Sequence, residues 1–180
     1  MDAATASAAL QALRDPAHFD AHGAQAFFAS TTPLPAAVIA LYLVLVRAGP
    51  RWMASRPPFK LQTTARVWNV CVALFSIMGA YHCVPHLASQ IYAHGFWYST
   101  CADVYELAGS GHVALWAVLF TWSKLFELFD TALLVLRKRQ LIPLHWFHHA
   151  SVIAFAWAAW CAPRRRARPA PAYALRSDAC

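Results

Sequence analysis

Long stretches of this chain carry almost no charge. Residues 36–46 read AAVIALYLVLV and residues 65–84 read ARVWNVCVALFSIMGAYHCV. Runs of this kind constrain the fold more than any other feature. Hydrocarbon offers no water to the backbone, so a spanning segment must satisfy its own N–H and C=O groups, as a helix or a closed barrel does. The runs lack strand-like alternation and approach the ~20 residues of a membrane helix. The expected fold class is all-α, a polytopic membrane helix bundle. Composition agrees: 59% of the 180 residues are hydrophobic and 13% are charged, about half the charged fraction of a soluble domain.

Four helices are expected, over about 33–47, 65–84, 113–136 and 144–160, the last opened by Pro143. Residues 1–32 are small, polar and Ala-rich, and read as a tail with one short helix. Residues 33–160 form the transmembrane domain. Residues 85–112 read as a mixed loop broken by Pro85, Gly95, Gly109 and Gly111. Its Phe96, Trp97 and Tyr98 suit a membrane interface. Residues 161–180 are rich in Arg, Pro and Ala. The first thirty residues lack a basic start followed by an apolar core, so insertion is expected through the chain's own helices. None of the five Cys forms a CxxC pair, so no zinc site is signalled. Cys83 and Cys101 fall on the same expected side, either as a disulfide or as free thiols.

The net charge of +7 would suit nucleic acid in a soluble protein. Here the basic residues sit in short clusters between apolar runs, which is a topology signal, and no nucleic-acid partner is expected. Arg47, Arg51, Arg56, Lys60 and Arg66 follow the first helix, and Arg137, Lys138 and Arg139 follow the third. Residues 85–112 hold no Lys or Arg. By the positive-inside rule, loops 47–66 and 137–139 are cytoplasmic and the N-terminus lies on the other side. The basic 161–180 segment breaks this alternation if the fourth helix crosses.

Lys124, Glu127 and Asp130 stand three residues apart inside an apolar helix, with Thr131 beside them. That spacing keeps all three charges within about 120° of one another. Charge at membrane depth is costly, and such groups usually pair or face a cavity. The cluster either ties helices together or lines a polar site reached from the cytoplasm. His145, His148 and His149 form an HxxHH box, which converges on one helical face. Imidazole transfers protons near neutral pH and can act as nucleophile or metal ligand. The short basic turn makes the third and fourth helices antiparallel neighbours, so both clusters can line one cavity.

These residues carry a resemblance. KLFELFDT at 124–131 matches the KxxExxDT motif of the ELO family of fatty-acid elongases, and LHWFHH at 144–149 resembles its histidine box. RPPFKL at 56–61 and GFWYSTC at 95–101 resemble two of its loops. The resemblance covers roughly residues 33–160. It implies about four of the family's seven helices and residence in the endoplasmic reticulum membrane. It further implies condensation of malonyl-CoA with a long-chain acyl-CoA, giving a 3-oxoacyl-CoA two carbons longer. His145, His148 and His149 would then be catalytic, and Lys124, Glu127, Asp130 and Thr131 would meet substrate. Implied partners are the two CoA thioesters, the lipid bilayer, other elongation enzymes and a second copy of the chain. No bound cofactor or metal is implied. The LHWFHH form resembles members acting on saturated and monounsaturated chains.

The family's later HxxMY and TxxQ motifs are absent from this sequence. The 180-residue product is therefore expected to be inactive alone. Two rival readings stand beside this one. A catalytically incomplete paralogue would serve as partner subunit of a full elongase. A membrane di-iron desaturase or hydroxylase fragment would use the histidine box as metal ligand, though such enzymes need about eight histidines in several boxes.

Overall fold

The computed structural model describes residues 17, 19, 21–102 and 104–161, with Tyr105 described by its backbone. It is an all-α bundle, with no β-strand among the described residues. We number the helices α1 (Ala21–Ser30), α2 (Pro33–Met53), α3 (Gln62–His94), α4 (Phe96–Cys101), α5 (Val104–Ala108), α6 (His112–Phe126), α7 (Leu128–Leu136) and α8 (Pro143–Cys161). By length and composition α2 and α3 each suffice to cross a bilayer. With the family assignment given below, these apolar helices mark an all-α membrane protein.

Several boundaries differ from the sequence reading. The α2 helix continues past Arg47 to Met53 and contains Pro50. The α3 helix runs through Pro85 to His94, so the first ten residues of the expected 85–112 loop are helical. Proline removes one backbone donor, and helices at membrane depth accommodate that loss. Gly95 ends α3, with φ of 85°, a conformation that costs a side-chain-bearing residue more. At ~1.5 Å per residue the 33-residue α3 is about 50 Å long, well beyond a ~30 Å hydrocarbon core.

The expected 113–136 helix is two helices joined at Glu127. There the Asp130 N–H bonds to the Glu127 carbonyl, three residues back, so the ladder tightens for one turn. Such a turn inside a helix often marks a functional hinge.

The core places α8 at the centre, packed on α1, α2, α5 and α6. Phe28, Trp157 and Trp160 are almost wholly buried. Phe28 meets Trp157 edge-on at 4.7 Å and stacks on Trp160 at 5.2 Å. The Trp157 indole N–H donates to the Phe28 carbonyl. The segment read as a tail therefore contributes a core helix. Its Phe27 and Phe28 were hidden in an Ala-rich stretch too short to span a membrane.

By contrast α3 has no buried residue. It leans on α6, where the Trp116 indole sits 3.3 Å from where a Cβ on Gly79 would stand. Its Val67, Val70, Leu74, Ile77 and Met78 are exposed, a surface suited to lipid or to further helices. His82 stacks between His112 and Trp116. The His86 ring bonds the Leu107 carbonyl at 2.7 Å. These histidines pack on neighbouring elements. Cys83 is a free thiol. Residues 162–180, read as the Arg/Pro/Ala-rich tail, lie outside the described residues.

Both basic loops come to one end of the bundle. The Phe59 N–H donates to the Leu136 carbonyl at 3.0 Å, and Lys138 Nζ donates to the Ala54 carbonyl at 3.1 Å. Replacing Phe28 by Ala should cost about 3–5 kcal/mol, the usual loss for a buried aromatic. Thermal unfolding in detergent measures it; a cost below about 1 kcal/mol would remove α1 from the core.

Candidate active site

The histidine box begins two residues after Pro143, the first residue of α8, whose fixed φ suits a first helical turn. The α7–α8 turn brings Thr131 of α7 within hydrogen-bond reach of the box. The Thr131 hydroxyl on α7 lies 3.0 Å from His145 Nε2 and 2.9 Å from the Tyr42 hydroxyl on α2. Thr131 and Tyr42 are buried. The Thr131 hydroxyl has one proton and two lone pairs, so it can accept from both neighbours or donate to one of them. The sense that uses both hydroxyl protons runs from Tyr42 to Thr131 to His145. It leaves Nε2 as acceptor and the proton of a neutral His145 on Nδ1.

The three imidazoles differ in surroundings. The His149 ring is buried, 4.6 Å from the His145 ring and 6.3 Å from the Tyr42 ring. His148 is exposed, its ring 5.7 Å from His149. One imidazole is thus open to an approaching molecule, while the other two face the α2 and α7 side. Among the described residues no three His, Cys, Asp or Glu side chains are placed to hold a metal ion.

The acidic and basic residues of α6 and α7 divide between two tasks. Lys124 Nζ pairs with Glu127 Oε1 at 2.6 Å and lies 4.1 Å from the Phe120 ring centre. The Ser123 hydroxyl donates to the same carboxylate. Lys124 and Glu127 line a cavity of about 440 Å³ between α3, α6 and α8, whose other walls include Phe75, Trp116, Phe155 and Trp160. Asp130 instead accepts from the Trp68 indole N–H on α3 at 2.5 Å.

Tyr42, Trp68 and Trp160 were missed by the sequence reading. Trp160 donates to the Thr121 hydroxyl at 2.9 Å and closes one wall of the cavity. Each is an aromatic residue with a polar tip inside an apolar run. That signal is weak, because such residues also serve at membrane interfaces.

The sequence model of the ELO: GNS1/SUR4 family matches residues 27–167. The chain is 37% identical over 152 residues to the very long chain fatty acid elongase 4 of Trypanosoma cruzi, covering 83% of this chain and 53% of that protein. It is 41% identical over 139 residues to the long chain fatty acid elongase 1 of Caenorhabditis elegans, covering 77% and 47%. With the mouse very long chain fatty acid elongase 3 the identity is 36% over 118 residues, covering 66% and 43%. The chain spans about half the length of the curated relatives it matches. No solved structure matches it.

Replacing Thr131 by Val keeps the shape and removes the hydroxyl that joins Tyr42 to His145. The orphaned Tyr42 hydroxyl should cost about 1–3 kcal/mol, read as a lower melting temperature in detergent. Thr131→Ser should retain most of the stability. Equal melting of the Val variant and the wild type would contradict the bonded joint.

Proposed function

The chain belongs to the ELO: GNS1/SUR4 family, and from that premise we propose that it carries the histidine part of a fatty-acid elongation site. The reaction condenses malonyl-CoA with a long-chain acyl-CoA. The products are a 3-oxoacyl-CoA two carbons longer, carbon dioxide and free CoA. The observation that carries this reading is the 3.0 Å contact between Thr131 and His145. It joins the KxxExxDT segment to the HxxHH box in one polar site. The names of the relatives support the substrate class.

Within that reading His148 meets the thioester, because it is the exposed imidazole of the three. An imidazole nitrogen attacks the acyl carbonyl carbon, the C–S bond breaks, and CoA leaves as thiol after taking a proton. Malonyl-CoA then loses carbon dioxide, and its carbanion displaces the imidazole to form the new C–C bond. A clustered imidazole supplies the base that such a nucleophile needs. Tyr42 and Thr131 set the orientation and tautomer of His145 from behind. Lys124 and Glu127, paired with each other, stand beside the apolar cavity, which suits an acyl chain. The form of the histidine box favours saturated and monounsaturated chains.

We place the site in the endoplasmic reticulum membrane, with loops 47–66 and 137–139 cytoplasmic. The meeting of both basic loops at one end supports that orientation. Other elongation enzymes and a second copy of the chain are the proposed protein partners.

The test uses microsomes carrying the protein with its native partners. Labelled malonyl-CoA and a C16 or C18 acyl-CoA are supplied, and 3-oxoacyl-CoA is measured. His148→Ala should lower the rate by at least about 10³-fold, as loss of a nucleophile does. Thr131→Val should lower it by about 10–100-fold, as loss of an orienting partner does for metal-bound histidines. A His148→Ala protein condensing at the wild-type rate would overturn the assignment.

A further inference from the structure

Two loops far apart in sequence meet beyond the end of α7. Phe59, Lys60 and Gln62 from one side and Arg137, Lys138 and Arg139 from the other line an open cavity of about 420 Å³. That size falls within the range of small-ligand sites. Four of the lining residues are cations and none is a carboxylate.

The positive-inside rule explains why basic residues gather at this end. It does not require the two loops to be tied to each other, as they are by the Phe59–Leu136 and Lys138–Ala54 bonds. Nor does it require the backbone to contribute, yet here it does. A helix C-terminus normally presents bare carbonyls, which repel anions. At the end of α7 they are occupied: Arg139 N–H bonds Leu134, Lys138 N–H bonds Val135, and Phe59 N–H bonds Leu136. The N-terminus of α3 enters the same cavity at Gln62, with no side-chain cap and no acid in its first turn. A helix N-terminus favours an anion.

Lys138 adds an independent observation. It has φ of 53°, the only positive φ among the described non-glycine residues. The position is the residue after a helix end, where glycine is usual. A cationic side chain therefore stands in the cavity at a place where the backbone itself prefers glycine.

We propose that this cavity binds a phosphoryl group carrying more than one negative charge. Two sources present that chemistry at a membrane surface. One is the nucleotide end of a coenzyme A thioester, and the other is the phosphorylated headgroup of an anionic lipid. Phe59 is 48% exposed on the wall, giving either ligand an apolar surface beside the charges. Only the coenzyme source rests on the elongation reading.

The experiment places the purified protein in phosphatidylcholine nanodiscs. The probes are adenosine 3′,5′-bisphosphate and a fluorescent phosphatidylinositol 4-phosphate. Two variants are compared with the wild type: Lys138→Gly, and the triple change Lys60→Gln, Arg137→Gln and Arg139→Gln. The Lys138→Gly change relaxes the backbone but gives up the exposed Lys138–Ala54 bond, so melting is measured beside binding, and loss of binding at an unchanged melting temperature is loss of the charge. Loss of one charge should weaken binding roughly fivefold, and loss of three on the order of 100-fold. Tight binding of the bisphosphate that the variants lose assigns the site to the coenzyme. Retention of the phosphorylated lipid, not displaced by the bisphosphate and lost in the variants, assigns it to lipid. If neither probe binds the wild type better than the variants, the proposal is wrong.

Discussion

One hydroxyl group holds the centre of this structure together. Thr131 bonds Tyr42 on α2 and His145 on α8, and so joins three helices at a point sealed from solvent. Among apolar surroundings an unpaired hydroxyl has no water to turn to, and the loss is felt in full. The same rule holds across the bundle: among the described residues every buried side-chain nitrogen or oxygen has a partner. The histidine box takes its orientation from this joint. His145 is held by it, His149 packs against His145 and Tyr42, and His148 is left on the open side.

Around that joint the surroundings change in order along the third apolar stretch. The basic turn begins at Arg137, the joint is at Thr131 and the Lys124–Glu127 pair opens onto the apolar cavity. Each step along the helix is about 10 Å, from ~1.5 Å of rise per residue. On the proposed reading, a substrate with an anionic head, a reactive thioester and an apolar tail meets those environments in the order it needs them. The long α3 helix supplies one wall of the cavity and holds Asp130 through Trp68.

The bundle, the Lys124–Glu127 pair and the neighbouring histidines were legible in the sequence because each rests on local spacing. By contrast Asp130 leaves the expected shared face for Trp68, and the cavity beside Lys124 and Glu127 is lined by none of the three histidines. Apolar run length gave the helices. Spacings of three and four residues placed the Lys124–Glu127 pair and the adjacent histidines on helix faces. Other features depend on contacts distant in sequence, and no spacing encodes them. Tyr42 meets Thr131 across 89 positions, and Trp68 meets Asp130 across 62. Proline also misled the reading, because a membrane helix tolerates Pro50 and Pro85 where a soluble helix would stop. Phe28 was hidden because burial of a short helix depends on the Trp residues it meets, far along the chain.

The most direct measurement is a search for acyl transfer to the histidine box. Protein solubilised from microsomes together with its native partners is mixed with a radiolabelled long-chain acyl-CoA, without malonyl-CoA, then digested and examined by mass spectrometry. The account predicts an acyl group on the peptide bearing His148, one equivalent of free CoA released, and loss of both in His148→Ala. Label on a cysteine instead, or condensation that proceeds with His148 never acylated, would contradict it.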